Sequence, residues 1–267
     1  YNNQYSAIII TSMKISSEPM KVILFFFCLI CAPATLFAQI SATEIIQKSD
    51  EKFRGKSSQA EMVMKIQRSD WTREITMKSW SLGDSYSLVL ITAPARDKGS
   101  AFLNREKELW NWQPRIDRVV KMPPSMMMQS WMGSDFTNDD LVKQSSIVKD
   151  YTHKLVGDST IEGRDCYKLS LIPKPNAPVV WGKIVAFISK KDFIQLKMSF
   201  YDEEGFLVNT MNMSNIKNMS GRLFPTKLEM IPADNPKQKT IIIYNSIEFD
   251  KDIPSSFFSV QNMKKVR

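Results

Sequence analysis

The sequence predicts a mainly β protein of about a dozen antiparallel strands, preceded by one helix and interrupted by a helical insertion. Three observations support this fold class. Apolar and polar residues alternate through most of residues 58–249, the turns between successive strands are short, and no linker or repeat divides the chain. Residues 39–267 are therefore expected to form a single domain, because β sandwiches and barrels reach this size as one unit.

A secretory signal peptide is predicted at residues 20–38. Lys21 precedes the apolar run 22–31, and small residues follow, so cleavage is expected after Ala38, with Ala34 as the alternative. The run is too short for a membrane-spanning helix, which needs about 20 residues. Residues 1–19 are interpreted as upstream sequence outside the native protein. The expected location of the mature protein is the bacterial periplasm.

The composition excludes some classes of function. Only Cys166 of the three cysteines lies beyond the predicted signal peptide, so no intramolecular disulfide is expected. The formal net charge is +8, but the lysines and arginines are spread along the strands. A nucleic-acid partner is therefore not expected. The protein is expected to be a monomer without a cofactor.

An amphipathic helix is predicted at the start of the domain. Ser41 and Glu44 match a capping box, and Gly55 suits the position just past a helix end. From Ser58 onward the apolar residues recur at every second position. This pattern predicts a strand with one buried face made of Ala60, Met62, Met64 and Ile66.

Eleven further strands follow from the same alternation. Their predicted ranges are 71–80, 86–92, 100–105, 109–113, 152–157, 166–172, 183–189, 195–201, 208–216, 226–231 and 240–249. Asp202 to Gly205 is a hairpin turn signal. After the break at Pro123 and Pro124, two short helices are predicted at 125–131 and 136–143.

Strands in this number must either stack as two sheets or curl into a barrel. Charged residues such as Glu61 and Lys65 on the presumed outward faces argue against a barrel embedded in lipid. The stretch from Pro123 to Phe136 is rich in methionine and contains Trp131, which is typical of a surface that adapts to several apolar shapes. We interpret it as a mobile lid over a lipid-sized cavity, with packing in a short helix as the alternative.

Several segments resemble the periplasmic lipoprotein-carrier (LolA-like) family, in the branch of outer-membrane lipoprotein-sorting proteins. These segments are 109–114 (LWNWQP), 131–141 (WMGSDFTNDDL), 200–205 together with 224–225, and 253–258 (IPSSFF). The resemblance implies an incomplete β-barrel of about 11 strands, strongly curved and covered by the N-terminal helix and a short helical lid. The resemblance also implies that the protein is a carrier, which holds acyl chains while they are transferred between two membranes.

The candidate lipid-binding residues are large apolar side chains of the strands and the insertion. They are Met62, Met64, Ile66, Trp80, Leu88, Leu90, Trp110, Trp112, Met127, Trp131 and Phe136. For each of them, plain core packing is the alternative. The resemblance also implies an arginine that latches the lid, and the sequence leaves Arg68, Arg73, Arg105, Arg115 and Arg118 open for this role.

No catalytic or metal-binding residue is predicted. Asp135, Asp139 and Asp140 lack the ligand spacing of a calcium loop and are interpreted as residues at a helix start. His153, the single histidine, is interpreted as a solvated strand residue, and Cys166 as a buried inert thiol.

Three hypotheses follow. The preferred one is a periplasmic carrier that holds acyl chains of lipoproteins or lipids for transfer toward the outer membrane. The second is an accessory protein that docks to an inner-membrane transporter. The third is an esterase-type enzyme with Asp135 or His153 as the base.

Overall fold

The computed structural model describes residues 40–106, 108–143 and 146–267. The predicted signal peptide and the upstream residues lie outside this range. Helix α1 (Ala42–Arg54) follows the predicted signals, since Ser41 Oγ accepts a hydrogen bond from the backbone N–H of Glu44 at 3.1 Å. Gly55 ends the helix in a left-handed conformation with φ of 68°.

The described residues contain one antiparallel sheet of 13 strands. The strands are β1 (Ser57–Gln67), β2 (Thr72–Leu82), β3 (Tyr86–Ala93), β4 (Ala101–Arg105), β5 (Glu108–Gln113), β6 (Arg118–Met122), β7 (Tyr151–Ile161), β8 (Arg164–Pro173), β9 (Lys183–Ser189), β10 (Gln195–Tyr201), β11 (Leu207–Met219), β12 (Arg222–Pro232) and β13 (Lys239–Phe249). The alternation predicted 12 of these strands, and the family resemblance implied about 11. Strand β6 carries no clear alternation and was therefore not predicted.

The strand order is β6-β5-β4-β3-β2-β1-β13-β12-β11-β10-β9-β8-β7, so β6 and β7 are edges and the sheet is not closed into a barrel. The central pairing of β1 with β13 joins the start of the domain to its end. Every other neighbouring pair is joined by a connection between successive strands. The expectation of an open antiparallel sheet is confirmed.

The sheet is strongly curved. Lys149, two residues before β7, forms an ion pair of 2.6 Å with Asp84 in the turn between β2 and β3. Strands β2 and β7 are eight positions apart in the sheet order. In a flat sheet this separation would be roughly 40 Å, at about 4.8 Å per strand. The contact therefore requires the sheet to bend around the elements that it encloses.

The two faces of the sheet have different neighbours. The inner face carries the predicted apolar row of β1, in which Met62 lies opposite Met77 of β2 and Tyr244 of β13. It packs against α1 and the insertion between β6 and β7 in the main core. The outer face of β2 to β5 is covered by the C-terminal segment, which contains helix α2 (Val260–Met263).

The insertion is less helical than predicted. The first predicted helix, 125–131, is reduced to a 3₁₀ turn at Pro124–Met126, and the second, 136–143, to a π-helix at Asp139–Lys143. Met132 and Gly133 between them have φ of 51° and 80°, which a right-handed helix cannot include. The backbone instead turns back on itself, with a bridge between Ser130 and Thr137. We call residues 123–143 the lid.

In the described part of the chain, no helix combines the length and the apolar character needed to cross a membrane.

Candidate functional site

A cavity of about 200 Å³ lies between the inner face of the sheet, α1 and the lid. Its wall is mainly apolar and contains five methionines, namely Met62, Met77, Met198, Met211 and Met230. Methionine side chains are unbranched and polarisable, so they adapt to the shape of a neighbour. Trp131 and Phe136 of the lid border the cavity from the opposite side, and both are buried. The cavity wall is therefore apolar and adaptable in shape.

The lid is fastened to the sheet by a charged pair. Arg68, just after β1, donates to both carboxylate oxygens of Asp135 at 3.1 and 3.0 Å, and to the carbonyl of Gly133 at 3.0 Å. The Thr240 hydroxyl of β13 donates to Asp135 Oδ2 at 2.6 Å. The Arg68 and Asp135 side chains are only 13% and 10% exposed, so water screens this pair weakly.

Two further bonds extend this attachment. Arg73 of β2 donates to the carbonyl of Met132 at 3.2 Å, and Asn209 of β11 donates to the carbonyl of Asp135 at 3.3 Å. The lid is thus held by three sheet regions that are far apart in sequence. Of the five arginines considered for the latch, Arg68 and Arg73 contact the lid. The bidentate geometry makes Arg68 the principal partner.

Asp140 introduces a carboxyl group into the cavity wall. Its Oδ2 accepts from the Thr137 backbone N–H at 2.8 Å, while Thr137 Oγ1 accepts from the Asp140 N–H at 3.1 Å, which is a reciprocal cap. Oδ1 accepts from the Trp181 indole N–H at 3.0 Å. Burial in apolar surroundings raises the pKa of Asp140 to about 6, with a smaller contribution from the negative charge of Asp139.

The same burial affects a neighbouring tyrosine. Tyr151 at the start of β7 donates to the carbonyl of Trp181 at 3.3 Å. Desolvation raises the pKa of Tyr151, and Asp139 and Asp140 raise it further. Tyr151 therefore stays a neutral hydrogen-bond donor at neutral pH. The acidic groups at this end of the cavity are Asp139 and Asp140.

The structure brings together part of the predicted lipid-binding set. Met62, Trp131 and Phe136 border the cavity, and Trp80 also borders it. The Trp80 ring, however, packs against Phe257 on the outer face with ring centroids 5.6 Å apart. Met64, Ile66 and Met127 are buried in the main core but do not border the cavity.

The remaining four predicted residues, Leu88, Leu90, Trp110 and Trp112, lie on the outer face with the C-terminal segment. In β3 the cavity is bordered by Ser87 and Val89, so the alternating positions point away from it. All residues from Ser87 to Ile91 are buried, because the sheet is covered on both faces here. The alternation of apolar and polar residues therefore could not show which face of β3 points into the cavity.

Several cavity residues were not predicted. They come from the second half of the chain and include Trp181, Ile184, Met198, Phe200, Met211 and Met230. Trp181 precedes β9, and the other five lie in β9 to β12, of which β9 and β12 alternate as β1 does, so the signal was partly present. What the sequence did not show is that the sheet curls far enough for both halves to face one cavity.

The other titratable candidates have structural roles. His153 is half-buried rather than solvated, and its ring nitrogens lie 3.1 Å from Thr43 Oγ1 and 2.7 Å from the Ile147 carbonyl oxygen. Cys166 is buried, and desolvation raises the pKa of its thiol, which favours the unreactive protonated form. Among the described residues, no group of three or more His, Cys, Asp or Glu could hold a metal ion.

The fold and the cavity define a class of protein: an open, strongly curved antiparallel sheet whose apolar inner face is covered by a helix and a latched lid. A family model described as "uncharacterized protein" matches residues 83–265, and the chain belongs to this family. No curated protein matches the sequence.

Solved structures share the whole fold. A domain named for outer-membrane lipoprotein sorting, from Vibrio parahaemolyticus, has a TM-score of 0.75 at 23% identity, covering 84% of this chain and 98% of its own. A LolA superfamily protein from Nitrosomonas europaea has a TM-score of 0.73 at 24% identity, covering 84% and 99%. A DUF1329 family protein from Desulfovibrio piger has a TM-score of 0.75 at 22% identity, covering 83% and 97%. The resemblance noted from the sequence is confirmed for the fold.

Proposed function

We propose that this protein is a periplasmic carrier that holds acyl chains of lipoproteins or lipids in its cavity for transfer toward the outer membrane. The observation that carries the proposal is the methionine-rich cavity closed by a lid that polar bonds fasten to the sheet. The similarity in fold to a domain named for lipoprotein sorting supports it. The predicted signal peptide is the basis for the proposed location.

The energetics of lipid transfer favour a cavity of this kind. Each buried methylene contributes about 0.8 kcal/mol, so an acylated molecule with some thirty methylenes loses on the order of 20 kcal/mol when it enters water. An apolar cavity offsets most of this loss. Because membrane and cavity are both apolar, the net free energy of transfer stays small, and the cargo can be released again.

The size of the cavity implies that the lid must move. Its volume of about 200 Å³ is smaller than the roughly 300–1,000 Å³ of pockets that enclose drug-sized ligands. The closed form therefore accommodates part of one acyl chain, and a larger cargo requires the lid to open. Opening exposes Trp131 and Phe136 and breaks the bonds of Asp135 to Arg68 and Thr240.

We propose binding rather than catalysis. Asp135, one candidate base, is held by Arg68 and Thr240 in the lid attachment. His153, the other, is bonded to Thr43 and Ile147 between α1 and the segment after the lid. Both candidates thus have structural bonds that account for their positions.

Docking to an inner-membrane transporter stays a prediction based on the basic net charge. The measurement is a pull-down from solubilised inner membrane, repeated at raised salt. A specific partner should be retained when salt screens general charge attraction.

The carrier proposal is tested by filling the cavity. Ala60 borders it and is 2% exposed, so Ala60→Phe should occupy the space that an acyl chain needs, with Ala60→Leu as the milder change. Val63→Phe on the opposite face of the same strand is the matched control. Native mass spectrometry of purified protein measures co-purified lipid, and titration with a fluorescent fatty acid measures uptake.

We expect lipid and probe in the wild type and in Val63→Phe, and reduced binding in the Ala60 variants. Circular dichroism confirms that each variant is folded. A wild-type protein that is free of lipid and takes up no fatty-acid probe would contradict the carrier function.

A further inference from the structure

A row of polar side chains crosses the inner face near the C-terminal end of α1. Ser58 lies opposite Ser81, Ser81 opposite Ser87, and Ser87 opposite Asn104, so the row spans β1 to β4. Residues that pair directly across antiparallel strands point to the same face. The three serines border the cavity, as does Ser79 one row further along. We call Ser58, Ser79, Ser81 and Ser87 the serine group.

The hydroxyls can bond to more than each other. Ser58 Oγ and Ser81 Oγ are 2.8 Å apart, and this bond uses one of their two O–H donors. A hydroxyl carries one donor and two acceptor lone pairs, so the second O–H can donate to a ligand. Hydroxyls on an otherwise apolar wall cost free energy unless they are hydrogen-bonded. A ligand with an acceptor oxygen at this position would accept the remaining O–H of the Ser58–Ser81 pair.

Arg54 and Tyr244 are two further polar residues that border the same cavity. Arg54, four residues before Ser58, lies in the last turn of α1, and its Nε donates to Asp50 Oδ1 at 2.7 Å. Tyr244 lies on the inner face beside Met62, and within the described part of the chain its hydroxyl has no hydrogen-bond partner. Burial raises the pKa of Tyr244 to about 12, only partly offset by the charge of Arg54, so its hydroxyl remains a donor.

Asp50, the partner of Arg54, also borders the cavity on the α1 side, so carboxylates occur on both sides. The lid side differs in its apolar rings. Asp139 and Asp140 border it there, next to the apolar rings of Trp131 and Phe136. Carboxylates disfavour a ligand oxyanion or ester oxygen and leave the apolar rings as the attractive surface. Along β1, the residues that border the cavity run from Ser58 to Met62, which corresponds to about 13 Å at roughly 3.3 Å per residue. The serine group therefore offers O–H donors on one side of the cavity, and the lid offers apolar rings on the other.

We propose that the serine group, with Arg54 and Tyr244, is a headgroup site for a single-chain acyl amphiphile. Its carboxyl or ester oxygens accept hydrogen bonds from these side chains, and its tail runs under Trp131 and Phe136. This inference rests on the proposed carrier function and narrows it, since the cavity then distinguishes an acyl group that carries oxygen from a bare hydrocarbon.

The test compares three ligands with the same chain length. Palmitate, methyl palmitate and hexadecane each displace a neutral environment-sensitive dye from the full protein at neutral pH. The variants are Ser58→Ala with Ser81→Ala, and separately Tyr244→Phe, which removes only a hydroxyl. The matched control is Ser170→Ala with Ser199→Ala, two serines that do not border the cavity.

We expect the double serine variant to bind palmitate and methyl palmitate about fivefold more weakly, which is the fold-change for one lost hydrogen bond of about 1 kcal/mol. Hexadecane should displace the dye equally well from all variants. Tighter wild-type binding of palmitate than of its ester would identify a free carboxylate as the headgroup, and equal binding would identify an acyl ester.

The headgroup site is overturned if both variants bind all three ligands as tightly as the wild type does. It is also overturned if their affinities for hexadecane and palmitate fall by the same factor. Failure of the carrier function gives a different result, because none of the ligands then displaces the dye from the wild type. Thermal unfolding of each variant excludes a folding defect as the cause.

Discussion

Arg68 and Asp135 form two parallel hydrogen bonds, 3.1 and 3.0 Å long, that join the end of the first strand to the lid. The carboxylate also accepts from Thr240 at 2.6 Å. Strand β13, which carries Thr240, is the neighbour of β1 in the sheet. The attachment point of the lid therefore lies where the first and last strands of the domain meet, the place at which the two halves of the sheet are joined.

Removal of the Arg68 guanidinium should loosen the lid. Arg68→Gln leaves the weakly exposed Asp135 carboxylate without its counter-charge, which we expect to cost about 2–4 kcal/mol. The cost should appear mainly as lid opening, because the sheet pairing does not depend on this bond. Hydrogen exchange at residues 131–141 should become faster, and a bound fatty-acid probe should exchange faster with lipid vesicles.

Arg96→Gln is the control for this change. The Arg96 side chain is 76% exposed, and its Nε lies 3.8 Å from Asp97 Oδ1. Its substitution should therefore alter the free energy of unfolding by less than about 0.5 kcal/mol. Unchanged exchange of the lid in Arg68→Gln would show that the attachment depends on apolar packing instead.

Stability should depend on pH through Asp140. Its folded-state pKa of about 6 exceeds the ordinary value of 3.8, so the folded protein binds this proton more tightly than the unfolded chain. The favourable contribution of protonated Asp140 to the free energy of unfolding is fully present at low pH. It is lost as pH rises through the window from about 4 to about 6. The free energy of unfolding should therefore fall by on the order of 2 kcal/mol across this window from this group.

The measurement compares urea unfolding of the wild type and Asp140→Asn from pH 4 to pH 8. The amide leaves either Trp181 or Thr137 without an acceptor, but this loss is the same at every pH. The difference in stability between the two proteins should shift in favour of the variant as pH rises. A difference that stays constant over the range would contradict the proposed ionisation.

Local signals predicted much of the fold. Ser41 and Gly55 marked the ends of α1 because capping and left-handed backbone depend on the residue itself. Strands β9 and β10 were predicted to the residue. The burial of β9 alternates along the strand, whereas most residues of β10 are buried on both faces. The lid was not predictable in the same way. Its spacing suggested helices, but Met132 and Gly133 adopt left-handed conformations that its bonds to the sheet stabilise.

The site was only partly predictable for a related reason. Met62 belongs to a strand with one clearly apolar row, so its place on the inner face followed from the pattern. Leu88 belongs to a strand buried on both faces, where only the position of the C-terminal segment decides which side is outside. That position depends on contacts between residues far apart in sequence, and no local pattern encodes it.

The outer face should contribute stability without contributing to binding. Phe258 is fully buried there, with its ring centroid 5.6 Å from that of Tyr86 and 5.3 Å from that of Phe257. Phe258→Ala should lower the free energy of unfolding by about 3–5 kcal/mol. At temperatures well below unfolding, its affinity for a fatty-acid probe should match the wild type. Met62→Ala on the inner face is the comparison, and it should change probe affinity. Reduced affinity in Phe258→Ala alone would place the binding surface on the outer face.

Gly182 should tolerate no side chain. A Cβ added there would lie 2.4 Å from the Asp202 carbonyl oxygen and 2.7 Å from Glu203 Cα, so backbone would have to move. We expect Gly182→Ala to lower the free energy of unfolding by about 1–3 kcal/mol. The change should also disturb the cavity, because the neighbouring Trp181 bonds to Asp140 and borders the cavity.

Two measurements check this prediction: urea unfolding, and the fluorescence of tryptophan with and without a fatty-acid ligand. Glu203→Ala in the same exposed turn is the control, and its effect on stability should stay within about 0.5 kcal/mol. Because the clash involves backbone rather than a flexible side chain, relaxation of the neighbours cannot remove it cheaply. Wild-type stability in Gly182→Ala would therefore mean that β9 and the turn at 202–205 lie further apart in solution than in this structure.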